Sequence, residues 1–68
     1  MKTVSGKRMC QILETKGWNL ARINGSHHIY VCEGEPLRIS VPVHGNQSLK
    51  SGLQRHFMRL ADIHEKDL

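Results

Sequence analysis

The residues best suited to chemistry lie in one stretch, Gly25-Ser26-His27-His28, which runs into Ile29-Tyr30-Val31. An imidazole titrates near neutral pH, so either histidine can take a proton from a hydroxyl and return one to a leaving group. Gly25 allows the backbone to approach a bulky anion, and the Ser26 hydroxyl can donate to a phosphate oxygen. The tetrapeptide therefore points to chemistry at a phosphate. Ten Lys and Arg against six Asp and Glu give a formal net charge of +4, before any of the five histidines is protonated, and the pI is near 9.5. That balance favours an anionic partner, either nucleic acid or an acidic protein.

Other site chemistries fit less well. No serine or cysteine has a general base and an orienting acid at the spacing of a catalytic triad. A metal site would have to draw on His27, His28 and Cys32, with His44 or Cys10. His-His-x₃-Cys is not a zinc spacing, and neighbouring strand residues point to opposite faces, so neither a metal nor a cofactor is expected.

The 68 residues make one domain, 1–68, with no linker, repeat or low-complexity tract. A domain of this size buries only ~60% of the surface exposed by its unfolded chain. It has no room for a deep cavity, so the site should be a shallow groove with a polymer laid across it. No apolar run approaches the roughly 20 residues of a membrane span. The methionine-led start carries no apolar signal segment, which points to the reducing cytoplasm and to Cys10 and Cys32 as free thiols.

The elements that must carry these groups follow from caps and periodicity. Ser5 is placed to cap a first helix, in which Met9, Ile12 and Leu13 form one buried stripe that Cys10 extends. Lys16-Gly17 should end it, and Trp18 should anchor it to a sheet. Asn19 to Asn24 reads as a first strand, and Asn24-Gly25 as a two-residue hairpin turn into the histidine strand. After a turn at Glu33-Gly34-Glu35-Pro36, the alternation of Leu37, Ile39 and Val41 gives a third strand. If Ile29, Val31, Leu37, Ile39 and Val41 face the helices, then His28, Tyr30, Arg38 and Ser40 line the open face as a bed for a phosphodiester chain. Pro42 breaks the sheet, and Ser48 or Ser51 could cap the next helix. There Leu49, Leu53, Phe57 and Leu60 form the core stripe, widened by Met58 and Ala61, while Lys50, Arg55, His56 and Arg59 make a solvated basic face. Asp62 to Leu68 is at most a final turn. The fold class is α+β: a two-layer α-β-β-β-α domain, with a three-stranded antiparallel sheet covered on one face by helices.

Taken together, the segments resemble the HicA-type toxins of bacterial toxin–antitoxin pairs. The resemblance runs through Ser5-Gly6-Lys7, Lys16-Gly17-Trp18, Arg22 and Gly25-Ser26-His27-His28. It continues in Val41-Pro42-Val43-His44-Gly45 and Leu49-Lys50-Ser51-Gly52 and ends on Leu60-Ala61-Asp62-Ile63. It implies a fold like the double-stranded-RNA-binding domain and a metal-independent endoribonuclease acting on mRNA, whose essential histidine is His27 or His28. It also implies a HicB-type antitoxin as partner. The chain departs from the common family pattern with Gly52-Leu53-Gln54 in place of Gly-Thr-Leu, and with Ala61-Asp62-Ile63 in place of Ala-Gly-Ile.

RNA carries the 2′-hydroxyl that can attack its own phosphate, so a protein need only move protons and hold charge. His27 or His28 is the candidate general base or acid, and Ser26, Arg22, Lys7 and Arg38 are candidates to hold the phosphate. His44 is a further candidate if the loop after the third strand folds back. The rival to catalysis is a non-catalytic RNA-binding module with the same basic face.

Overall fold

Ser5 is extended, and its hydroxyl accepts a hydrogen bond from the Arg8 N–H at 3.0 Å, which satisfies an amide that the first helical turn leaves unpaired. Helix α1, Gly6–Thr15, therefore starts where the cap places it. The protein is described here from a computed structural model covering all 68 residues. Met9, Cys10, Ile12 and Leu13 are buried along one side of α1. The helix ends in a Schellman motif, with the Gly17 N–H donating to Glu14 O and the Trp18 N–H to Leu13 O. That turn carries Trp18 directly into the core.

The sheet comprises β1 (Asn19–Asn24), β2 (His27–Val31) and β3 (Ile39–Pro42), antiparallel and in that spatial order. Helix α2 spans Ser51–Ala61, and a 3₁₀ turn at Glu65–Asp67 follows. This is the expected two-layer α+β arrangement. In α2, Phe57 and Ala61 are buried, and Leu49 is buried just ahead of it; Leu53, Met58 and Leu60 pack beside them. The 3₁₀ turn is tied back to the end of α1 by Lys16 Nζ at 3.1 Å from Asp67 Oδ2. The His64 N–H, which donates to the same carboxylate, and then that ammonium hold Asp67 below the usual carboxylate range. No helix is long and apolar enough to cross a membrane.

Several local expectations are corrected. The hairpin between β1 and β2 pairs Asn24 with His27, so its loop is Gly25-Ser26, one residue later than expected. Gly25, at φ +62°, occupies the first central position, where a type II′ turn requires a positive φ. Strand β3 begins at Ile39, leaving Leu37 and Arg38 exposed ahead of it. Neither Ser48 nor Ser51 caps α2. Its N-cap is Lys50, without a side-chain cap, and Ser48, two residues ahead of the cap position, forms a backbone bridge with Ser5.

The largest correction concerns the faces of β2. Ile29 and Val31 were expected to point at the helices, yet Tyr30 is the buried residue, with His28 half-buried on the same side. The register explains this. Antiparallel partners share a face, and Tyr30 pairs with Ile39 and His28 with Val41, both in the core. A one-residue slip would exchange every side chain of β2 between faces. Tyr30 also brings the larger apolar area, and its hydroxyl is satisfied by donating to Glu14 Oε2 at 2.6 Å. Burial and the neighbouring carboxylate raise its pKa well above the ordinary phenol value, so the hydroxyl keeps its proton. Burial likewise pushes up the pKa of the Cys10 thiol, close by.

The N-terminal segment is sewn to α2 by one buried side chain. Gln54 Oε1 accepts from the Val4 N–H at 3.0 Å, and its Nε2 donates to Lys2 O at 2.7 Å. Helix α2 ends with Asp62 in the left-handed region, φ 54°, and the Ile63 N–H donating to Met58 O. A glycine takes this conformation without a side-chain penalty. Asp62→Gly is therefore expected to stabilise the domain by about 0.5–1 kcal/mol, read as a raised denaturant midpoint at unchanged slope. The only side-chain contact it removes is an exposed one, Asp62 Oδ1 to His64 Nε2 at 3.1 Å.

Candidate active site

A groove of about 560 Å³ opens at one end of the sheet, where the start of β2 meets the end of β3. His27 and His44 line it together with Gln47, Ser48 and Lys50, over an apolar floor of Pro42, Leu49 and Leu53. The convergence follows from antiparallel pairing. His27 opposes Pro42, and the ladder continues one step beyond the strands through the Val43 N–H, which donates to Ser26 O at 2.8 Å. This brings the loop that bears His44 beside the Gly25-Ser26 turn. The far wall is held by a tight turn, Gln47 N–H to His44 O, and by Leu49 N–H donating to Val4 O at 2.9 Å.

Within the groove His27 is the positioned group. Its ring is exposed, with Nδ1 3.1 Å from Ser40 Oγ across the strand pair. With Nδ1 protonated and donating to that hydroxyl, Nε2 keeps its lone pair for a substrate proton. No carboxylate residue lines the groove, whereas Lys50 does, at the start of a helix that lacks a side-chain cap. Unpaired first-turn amides and the helix dipole add positive potential at that wall. The arrangement can accept a proton at His27 and stabilise negative charge beside it.

The other candidates are distributed as follows. His28, expected on the open face, sits on the helix-packed face between Ile23 of β1 and Val41 of β3, and does not line the groove. Ser26 is the second turn residue, and its carbonyl supports the His44 loop. Arg22 pairs with Ile29, which puts it on the same open face as His27 and exposed. Lys7 is exposed in the first turn of α1, one residue after the glycine packed on Pro42, and outside the groove lining. Arg38 lies beyond the Tyr30–Ile39 pair at the opposite end of the sheet, about 13 Å along the strand direction from His27 at ~3.3 Å per residue. Lys50, assigned by sequence reasoning to a solvated helix face, lines the groove instead, and Ser40 is on the open face as expected, with a bond to His27 that the sequence did not reveal. No group of three or more His, Cys, Asp or Glu side chains is arranged to hold a metal ion.

Residues 6–63 match the family model described as the HicA toxin of bacterial toxin–antitoxin systems. Comparison with curated protein sequences finds no match. The family match leaves out only the first and last five residues, and it takes in both helices, all three strands and every residue of the groove. The chain belongs to the HicA family of bacterial toxins.

Proposed function

We propose that this toxin is an mRNA interferase: a metal-independent endoribonuclease in which His27, rather than His28, removes the proton from a ribose 2′-hydroxyl. The observation that carries this reading is the exposed His27 ring, held by Ser40 in a groove with a lysine and no carboxylate. The 2′-oxygen attacks the adjacent phosphorus, and the 5′-oxygen leaves. Arg22, on the same sheet face, and Ser26, in the adjoining turn, are the nearer candidates to contact the RNA backbone. Lys7 and Arg38 are exposed and would contact phosphates further along the strand.

A protein partner of the HicB antitoxin type belongs to this reading, as does residence in the cytoplasm, where mRNA is found. Leu20 and Ile23, 44% and 55% exposed, lie on edge strand β1 on the same face as their partners Tyr30 and His28, where the helices do not reach far enough to cover them, and Leu37 is 54% exposed. Large apolar side chains exposed on so small a domain support a surface that a partner covers.

Incubating the purified protein with end-labelled mRNA in EDTA tests the reading. Fragments ending in a 2′,3′-cyclic phosphate, opposite 5′-hydroxyl ends, are expected. An intact, retarded band would overturn it in favour of a non-catalytic RNA-binding module.

A further inference from the structure

We propose that His44 is the second proton carrier of the reaction, giving a proton to the departing 5′-oxygen while His27 takes one from the 2′-hydroxyl. The inference rests on the nuclease reading above and names a residue that the reading does not need. Its basis is the shared groove: the two imidazoles lie 17 positions apart in the chain and are brought to one cavity by the Val43–Ser26 hydrogen bond.

The two histidines are held differently. His27 has its ring fixed by Ser40, which leaves Nε2 as the free atom. His44 is exposed on a loop anchored through its backbone, with its carbonyl accepting from the Gln47 N–H at 3.0 Å. Its side chain is thus left to the groove. In an in-line displacement the attacking and leaving oxygens lie on opposite sides of phosphorus, so one imidazole cannot serve both in a single step. Two imidazoles on a common groove can.

The 2′-hydroxyl proton passes to His27 Nε2, a bond forms from the 2′-oxygen to phosphorus, and the bond from phosphorus to the 5′-oxygen breaks. The 5′-oxygen then takes a proton from His44, giving a 2′,3′-cyclic phosphate and a 5′-hydroxyl. Charge that builds on the non-bridging oxygens faces Lys50.

The test uses His44→Gln and His27→Ala, two exposed positions, with thermal melting to show that both variants fold. On ordinary RNA, His44→Gln should lose about 10²- to 10⁴-fold in cleavage rate. The same variant is then given RNA in which sulfur replaces the bridging 5′-oxygen at the cleaved bond. A thiolate leaves without being protonated, so His44→Gln should recover to within roughly tenfold of the unaltered protein while His27→Ala stays impaired. Full activity of His44→Gln on ordinary RNA would overturn the proposal and leave the nuclease reading standing. Failure of sulfur to restore it, or restoration of His27→Ala instead, would overturn the assignment of His44 as the acid. No cleavage of either substrate by the unaltered protein would remove the nuclease reading, and this inference with it.

Discussion

His27→Ala should abolish toxicity and slow RNA cleavage by about 10²- to 10⁴-fold, the usual worth of a positioned general base, while the neighbouring His28→Ala should keep cleavage within about tenfold. The two residues are adjacent in the chain and of the same chemical type, so only their faces separate them. His27 projects into the groove and is exposed; His28 is half-buried on the helix side against Val41. The stability effects should run the other way. Removing an exposed ring costs within about 0.5 kcal/mol, whereas truncating the half-buried one removes core contacts and costs about 1 kcal/mol. Cleavage rates and denaturant melts of both variants give four numbers, and the crossed pattern is the expected result. Loss of cleavage in His28→Ala with full activity in His27→Ala would reverse the assignment.

Gly6→Ala should be the most damaging single-methyl change in the protein. A Cβ built on Gly6 would lie 2.1 Å from Pro42 O and 3.2 Å from Val43 Cα. These are backbone atoms, so no side chain can swing aside to make room. Either α1 lifts from the end of β3 or the strand end shifts, and the expected cost is about 3 kcal/mol, at the upper end for overpacking. A domain this small loses roughly 4–8 °C of Tm per kcal/mol, so a fall of more than about 10 °C is expected. Because Pro42 is the direct partner of His27, whatever fold survives should also cleave poorly. Gly52→Ala is the control: its Cβ would meet nothing within 4 Å, and the change should be neutral or stabilise by up to ~1 kcal/mol. Equal melts for the two variants would show that the contact between Gly6 and Pro42 does not constrain the fold.

Residues at the two ends of α1 mark where local signals suffice and where they do not. Ser5 as a cap and Gly17 as a helix stop act within a few residues of themselves, and both appear where the sequence puts them. Gly6 gives no local sign of its role, since the carbonyl it accommodates belongs to Pro42. The same holds for Ser48. It has the chemistry of a cap, but α2 has its N-cap two residues later at Lys50, and the Ser48 backbone bridges to Ser5 near the other end of the chain.

What the amino-acid sequence determined on its own was the order α-β-β-β-α, the ends of α1, the core stripe of α2 and the presence of His27 at a turn leading into a strand. Each depends on periodicity or turn chemistry within a short window. Only the tertiary structure decided which face each strand residue takes, because alternation states that neighbours differ and says nothing about which one points inward. In β2 both sets carry apolar groups, Ile29 and Val31 against Tyr30, and the choice was made by pairing with Ile39 and Val41. The same pairing separated His27 from His28, brought Ser40 to the first of them, and set His44 and Lys50 around it. Those contacts join residues more than a dozen positions apart, and they exist only once the register between strands is set.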